Sequence, residues 1–197
     1  MLFRSVTITR PFYIGVHPVT QAQYREVTGV SPSNFKGDSN PVESVSWLAA
    51  EEFCGAMSAH TGRSVRLPTE AEWEYACRAG TTTRYSFGDD EAMLGRYTWF
   101  KDNSGGKTHP VGQKQSNPWG LHDMHGNVCD WCSDWYADSY ANAGDVDPQG
   151  PGSGTARVMR GGDWYIHAWR CRSARRNDTD PDNHGNNVGV RVVVDFK

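Results

Sequence analysis

Residues 157–194 read RVMRGGDWYIHAWRCRSARRNDTDPDNHGNNVGVRVVV, and this closing stretch decides the fold. Its two ends, residues 157–162 and 189–193, combine apolar residues, arginines and glycines in a pattern typical of a rigid frame. Its middle is crowded with Trp, Tyr, His, Arg, Asn and Asp. No period of 2 or 3.6 runs through that middle, which predicts an ordered loop. Since loops held on rigid frames often carry binding or catalytic residues, the stretch predicts a functional site of one of these two kinds.

The chain has 197 residues, which suits a single domain, residues 1–197, with a substantial core. A formal net charge of -3 gives no reason to expect nucleic acid as a partner. No apolar run reaches membrane-spanning length, and residues 1–10 lack the apolar region of a signal peptide. We therefore expect no membrane insertion, and the compartment stays open.

The cysteines stand at five scattered positions: Cys54, Cys77, Cys129, Cys132 and Cys171. An odd and scattered set does not match a disulfide framework. It indicates buried free thiols in a reducing compartment. We therefore expect a cytoplasmic protein, or one that is exported after a reducing stage.

Three helices are predicted from their starting residues. Thr20 and Thr69 each begin a capping box, with Gln23 and Glu72 three residues later, and Ser46 is a favourable N-cap for the remaining helix. The residues expected to end these helices are Gly29, Gly62 and Gly80. We also expect a strand over residues 6–14, mostly turns over 81–116 with one short apolar piece at 97–100, and a surface loop over 136–153.

Four longer motifs resemble one protein family. They are PVESVSW at 41–47, RLPTEAEWEYA at 66–76, GLHDMHGNV at 120–128 and RGGDW at 160–164. In this order they are similar to the formylglycine-generating-enzyme (sulfatase-modifying factor) family, and the resemblance runs over residues 6–194. It implies an α+β, C-type-lectin-like fold that is rich in loops, with few short helices and strands and a shortened N-terminal strand region.

The resemblance does not extend to the catalytic cysteines of that family. There, two cysteines after the Gly-Gly motif hold copper and activate oxygen as thiolates. In this chain Ile166 occupies the position of the first cysteine, the second is missing, and Cys171 aligns better with a structural cysteine. Because an alkyl group cannot supply this chemistry, we expect no catalytic residues and no copper. The alternative is a formylglycine-generating-type oxidoreductase or a degenerate relative of it.

The closing stretch is more similar to the variable proteins of diversity-generating retroelements that share this fold. In those proteins an error-prone reverse transcriptase rewrites adenines, so that AAC-type Asn codons become codons for Tyr, Ile, His, Arg, Asp, Thr or Gly. Eleven positions between framework residues fit this rule, with a Trp reachable from an AGG codon: Asp163, Tyr165, Ile166, His167, Trp169, Arg170, Arg175, Asp178, Thr179, His184 and Gly185. The resemblance implies a variable ligand-binding region over residues 157–194.

The side chains at these positions also suit recognition. Tyr165 and Trp169 offer large contact areas with few rotatable bonds, as in antibody paratopes, and Arg170 and Asp178 add charge complementarity. We therefore predict a non-catalytic protein whose partner is an unknown protein or surface ligand. The alternative is that Trp164 and Trp169 are core anchors.

The resemblance also implies a structural calcium site in the motif at 123–130. By position its ligands are the carboxylates of Asp123 and Asp130 and the carbonyl oxygens of Gly126 and Val128, and hard oxygen ligands suit calcium. Asp130 stands where the family usually has Glu, which is one methylene longer. The alternative is a turn held by hydrogen bonds alone.

A zinc site is a weaker alternative for the same segment. His122, His125, Cys129 and Cys132 have ligand types and spacings that zinc sites use. Short matches of this kind have a high false-positive rate, so zinc is not the favoured interpretation.

Overall fold

The computed structural model describes residues 5–139 and 144–196. Over these residues the helices are α1 (Gln21–Thr28), α2 (Trp47–Thr61), α3 (Glu70–Arg78) and α4 (Leu94–Tyr97). The strands are β1 (Phe12–Ile14), β2 (Val65–Arg66), β3 (Cys129–Trp135), β4 (Arg157–Arg160), β5 (Arg176–Thr179), β6 (Val188–Gly189) and β7 (Val193–Asp195). This mixture of short helices and strands confirms the predicted α+β class. Of the surface loop predicted over 136–153, residues 140–143 lie outside the described residues.

The predicted helix starts are confirmed by hydrogen bonds. In α1 the Thr20 side chain accepts from the Gln23 N–H at 3.2 Å, and the Gln23 side chain accepts from the Thr20 N–H at 2.9 Å. Ser46 likewise caps α2 through the Ala49 N–H at 3.2 Å. These bonds satisfy backbone donors that have no partner within the helix.

The predicted helix ends are confirmed for two of the three helices. Gly29 and Gly62 adopt left-handed conformations, with φ of 73° and 66°, directly after α1 and α2. After α3 the left-handed residue is Ala79, at φ 47°, one residue earlier than the predicted Gly80. Gly80 is itself left-handed at φ 88°, so two consecutive residues turn the chain and the helix closes before the glycine is reached.

Two small sheets position the closing stretch. A three-stranded sheet has the order β1-β7-β2, and a four-stranded sheet has the order β5-β4-β3-β6, in which β3 and β6 are parallel. The strand predicted over 6–14 is ordered as a strand only at Phe12–Ile14. Pro11 has no N–H to donate, so the pairing with β7 begins after it.

β5 lies inside the segment that was predicted to be a loop. Its sequence, RNDT, is polar throughout, and it pairs antiparallel with β4, with Arg157 opposite Thr179 and Arg160 opposite Arg176. An alternation of apolar and polar residues is the sequence signal for a strand, and this strand has none. Its partner strand, rather than its own composition, therefore determines its conformation.

The interior of the described chain contains three clusters of apolar side chains. Phe53 and Trp131 belong to the first, Trp73 and Met124 to the second, and Ile166 of the closing stretch to the third. All five cysteines are buried and free, as predicted. Within residues 5–139 and 144–196, no helix combines the length and apolar character needed to cross a membrane.

Candidate functional site

Gly161 and Gly162 bring the closing stretch against the segment at 123–130, and Gly189 brings its end against Val42. Gly161 is left-handed, with φ of 87°. A Cβ atom on Gly162 would lie 2.4 Å from the His125 carbonyl oxygen, and one on Gly189 would lie 2.6 Å from the Val42 carbonyl oxygen. Both distances are too short for a residue that has a side chain. Glycine is therefore required at Gly162 and Gly189, because the backbones approach so closely there.

The loop between these glycines is held by backbone contacts. The Trp164 N–H donates to the Asn127 carbonyl at 3.0 Å, and the Ile166 carbonyl accepts from the Lys101 N–H at 3.0 Å. The Ser104 hydroxyl donates to the Trp164 carbonyl at 2.6 Å. The loop is therefore ordered by residues that lie outside the closing stretch.

A buried arginine supports the loop through ion pairs and hydrogen bonds. The Arg160 guanidinium is fully buried and forms ion pairs with Glu74 and, at 3.4 Å, with Glu70. It also donates to the carbonyls of Ser173 at 2.9 Å and Arg175 at 2.7 Å. This network was not predicted from the sequence. The spacing of Glu70 and Glu74, one helical turn apart on α3, was an available signal.

The predicted contact residues fall into three groups by exposure. The exposed ones are Tyr165, His167, Trp169, Arg170, Asp178 and His184. The partly buried ones are Arg175, Thr179 and Gly185, and the buried ones are Asp163 and Ile166.

The two buried positions differ from the prediction that they contact a ligand. The Asp163 carboxylate accepts from the Tyr165 N–H at 2.9 Å and from the Asn187 side chain at 3.0 Å, and burial raises its pKa. Ile166 is 8% exposed and packs in the cluster of Tyr85 and Leu94. Both side chains position the loop from within.

The exposed aromatic residues are on the outer side of the same loop. Tyr165 is 55% exposed and Trp169 is 50% exposed, and the Arg170 guanidinium lies 4.7 Å from the Trp169 ring. Trp164 behaves differently, because its indole N–H donates to the Asn186 carbonyl at 2.9 Å and its ring packs edge-on against Phe35 at 5.2 Å. Trp164 is therefore partly buried and held by residues of the framework, whereas Trp169 is exposed.

The remaining positions extend the surface along the closing stretch. The His167 ring lies 3.2 Å from the Lys101 ammonium group. Asp178 and Thr179 are on β5, and the Gly185 carbonyl accepts from the Ser44 N–H at 3.2 Å. Residues 165–167 thus lead into a short 3₁₀ helix at Ala168–Arg170, and the other positions lie on neighbouring parts of the frame.

The cysteines near the loop are poor candidates for thiolate chemistry. Cys171 donates through sulfur to the His167 carbonyl at 3.7 Å, and Cys129 donates to the Gly161 carbonyl at 3.8 Å. Burial raises the pKa of both thiols, and it raises the pKa of Cys77 to about 12. Protonated thiols are weak nucleophiles and weak metal ligands.

The carboxylates predicted to bind calcium are buried and partly unpaired. Asp123 accepts from the Gly112 N–H at 2.8 Å through Oδ2, and burial raises its pKa. Asp130 accepts from the Trp73 indole at 2.9 Å and from Arg191 at 2.8 Å, also through Oδ2. The Oδ1 atoms of both aspartates are buried and have no hydrogen-bond partner among the described residues. Two such oxygens fit the ligand chemistry of a hard cation.

The residues considered for zinc have other partners. His125 lies 2.8 Å from the Ser86 hydroxyl and 2.9 Å from the Cys171 carbonyl, and burial lowers its pKa to about 4. His122 is bonded to the Lys114 carbonyl at 2.8 Å. Within residues 5–139 and 144–196, no group of three or more His, Cys, Asp or Glu side chains could hold a metal ion, which argues against zinc.

Comparisons with known proteins agree with this geometry. Residues 3–196 match the model of the sulfatase-modifying factor enzyme 1-like domain. The formylglycine-generating enzyme of Streptomyces coelicolor is 37% identical over 94% of this chain, and the chain spans 61% of the length of that enzyme.

Two solved structures are similar over nearly the whole chain. Treponema denticola variable protein 1 superposes with a TM-score of 0.93 at 32% identity, covering 98% of this chain and 87% of that one. PvdO from Pseudomonas aeruginosa superposes with a TM-score of 0.89 at 28% identity, covering 97% of this chain and 83% of that one. The motif match, the family model and the shared α+β fold lead to one conclusion: the chain belongs to the formylglycine-generating-enzyme (sulfatase-modifying factor) family.

Proposed function

We propose that this chain is a non-catalytic ligand-binding protein that displays variable side chains on a scaffold of the formylglycine-generating-enzyme type. The observation that carries this proposal is the loop at 165–170. Its large aromatic side chains, Tyr165 and Trp169, are half exposed. Ile166, at the position where the family resemblance places the first catalytic cysteine, is buried against Tyr85 and Leu94.

The order of the loop favours recognition. The bonds from Asn127, Lys101 and Ser104 fix its backbone before any ligand arrives. Association then loses less conformational entropy than it would with a mobile loop. Tyr and Trp side chains bury large areas with few rotatable bonds, so a small number of substitutions on this backbone can change the ligand.

The proposed ligand is a protein or another macromolecular surface. The exposed set mixes aromatic rings with both charge signs, in Arg170 and Asp178, a composition found in protein interfaces. The similarity to Treponema denticola variable protein 1 supports the proposal that the chain is a variable protein.

The gene itself provides the first test of variability. We expect a second, near-identical copy of the segment encoding 157–194 close to the gene, differing from it only at adenines, beside a reverse-transcriptase gene. Sequencing the region in independent isolates should show substitutions confined to the proposed positions other than the buried Asp163 and Ile166. If no such repeat exists, or if framework codons vary as often, the chain is not a retroelement-diversified protein.

A display experiment tests the scaffold directly. One library randomises the exposed positions Tyr165, His167, Trp169 and Arg170, and a matched library randomises the buried Asp163 and Ile166. We expect the first library to stay folded and to give binders to a fixed protein probe such as lysozyme, while most members of the second fail to fold. Equal tolerance in both libraries would contradict the division between contact and support.

The alternative enzyme function is favoured by the 37% identity to the Streptomyces coelicolor enzyme. It is tested by incubating the protein and copper with a peptide that contains Cys-x-Pro-x-Arg, and by measuring aldehyde formation. We expect no turnover, because the Cys171 thiol is buried and its pKa is raised. Turnover that disappears in Cys171→Ser would establish an enzyme and overturn the non-catalytic proposal.

We further propose that the segment at 123–130 binds calcium structurally. The Asp123 and Asp130 carboxylates would hold the ion, with the carbonyls of Gly126 and Val128 as the other ligands implied by the family. The support is the pair of buried Oδ1 atoms without partners among the described residues. The ion would neutralise buried negative charge and stabilise the turn.

A further inference from the structure

A groove of about 900 Å³ lies between α1 and α2, away from the contact positions of the closing stretch. The turn after β1 and the residue before β7 complete its walls. Its lining residues include Val19, Glu26, Val27, Phe53, Ala56 and Met57. None of the eleven proposed variable positions is among them.

The floor of the groove is apolar. Val19 and Phe53 belong to the largest core cluster, and Val27, Met57 and Val192 are partly buried against it. Ligand sites for small molecules occupy roughly 300–1,000 Å³ and are lined mainly by apolar side chains. The groove has both properties, and the flexible Met57 side chain can adapt to the shape of a ligand.

The length of the groove favours a small occupant. The α1 wall has eight residues, which corresponds to about 12 Å at 1.5 Å per residue. A helix from a partner protein usually places anchor residues over two or more turns in a longer groove. A ligand with one or two rings, or one short alkyl chain, matches this wall.

Glu26 and His17 are hydrogen-bond acceptors at the rim, where the side chains of Gln23 and His60 also lie. Glu26 is the formally charged side chain of the lining at neutral pH, and it forms no ion pair or hydrogen bond within residues 5–139 and 144–196. The His17 Nδ1 atom lies 2.9 Å from the Pro18 carbonyl, which can only accept. Nδ1 therefore carries the proton, and Nε2 of the neutral ring is left as an acceptor.

We infer that this groove binds a small apolar molecule that carries one cationic head group. The apolar body lies on Val27, Phe53 and Met57. The head group donates hydrogen bonds to the rim acceptors, and its charge complements the unpaired Glu26 carboxylate. This site is independent of the proposed function of the closing stretch.

Two isosteric probes test the inference. 1-Naphthylmethylamine is cationic at neutral pH, and 1-naphthylmethanol has the same ring without the charge. Methyl spectra of the full chain are recorded during titration with each probe. We expect saturable shifts of the Met57, Val27 and Val192 methyl signals, and affinity for the amine about three- to fivefold higher than for the alcohol, since a partly exposed ion pair contributes modestly.

Three variants locate the two parts of the ligand. Glu26→Gln should remove the preference for the amine while leaving alcohol binding unchanged, and Glu52→Gln, on α2 outside the lining, should keep the preference. Ala56→Phe should fill the groove and abolish the shifts from both probes. The inference is overturned if neither probe gives saturable shifts at these methyls, if both bind equally, or if Glu26→Gln keeps the preference. None of these three results depends on whether the Ala56→Phe variant folds.

Discussion

At the scale of single residues, exposed positions suited to ligand contact and buried positions that support the loop lie within a few residues of each other in the closing stretch. Tyr165 and Trp169 are half exposed, whereas Ile166, between them in sequence, is 8% exposed. The sequence identified all three as members of one set, because the adenine pattern concerns codons and contains no information on burial. The division depends on which side of the loop faces Tyr85 and Leu94, which only the folded chain determines.

Alanine substitutions should separate these roles by stability. We expect Trp169→Ala to change the free energy of unfolding by less than about 0.5 kcal/mol, as surface substitutions do. We expect Ile166→Ala to lower it by about 2–4 kcal/mol, because it leaves a cavity in the core. Urea unfolding of both variants is the measurement. If Trp169→Ala is as destabilising as Ile166→Ala, Trp169 is a core residue and the proposed contact surface is wrong.

The buried Arg160 should be more important for stability than a surface ion pair. Arg160→Met would leave the Ser173 and Arg175 carbonyls without their donor and would remove one partner from Glu70 and Glu74. We expect a loss of about 3 kcal/mol in the free energy of unfolding. Arg84→Met is the control, since the Arg84–Glu91 pair at 3.6 Å is nearly half exposed and should contribute less than about 1 kcal/mol. Similar losses in the two variants would show that the network is not a support for the loop.

At the scale of elements, the three helices α1, α2 and α3 could be predicted from sequence, whereas α4, which has no side-chain cap, and β5 could not. Capping residues act locally, and their partners lie within three residues of the chain. The conformation of β5 depends on β4, which is separated from it by residues 161–175. The helices that begin with a capping residue could therefore be predicted, because their signals are local. β5 could not, because its conformation depends on its pairing with β4.

The capping box of α3 offers a test of such a local signal. The Thr69 hydroxyl accepts from the Glu72 N–H at 3.1 Å, and Glu72 accepts from the Thr69 N–H at 2.8 Å. Thr69→Ala should lower the free energy of unfolding by about 1 kcal/mol, whereas Thr69→Ser keeps the acceptor and should lose little. Chemical denaturation of both variants measures the difference. Equal losses would mean that the methyl group of Thr69, rather than its hydroxyl, stabilises the helix start.

At the scale of the whole molecule, the segment at 123–130 connects parts that are distant in sequence. The Asn127 carbonyl accepts from the Trp164 N–H, and the Cys129 N–H donates to the Asn187 carbonyl. Asp130 is bonded to Trp73 of α3 and to Arg191 between β6 and β7. The family motifs located this segment in the sequence. They did not indicate the pairing of Asp130 with Arg191, which is seen only in the folded chain. Any stabilisation of this turn should therefore raise the stability of the chain as a whole.

Calcium removal tests that expectation. If the Asp123 and Asp130 carboxylates hold calcium, an ion present at about a hundred times its Kd should raise Tm by about 5–10 °C for a chain of this size, and a chelator should reverse the shift. Asp123→Asn removes one buried charge from the site and should abolish the shift. The exposed Asp182→Asn is the control and should keep it. A Tm that is unchanged by calcium and chelator would show that the turn is held by hydrogen bonds alone. The Oδ1 atoms of Asp123 and Asp130 would then need water or a proton as partners, because unpaired buried carboxylate oxygens lower stability.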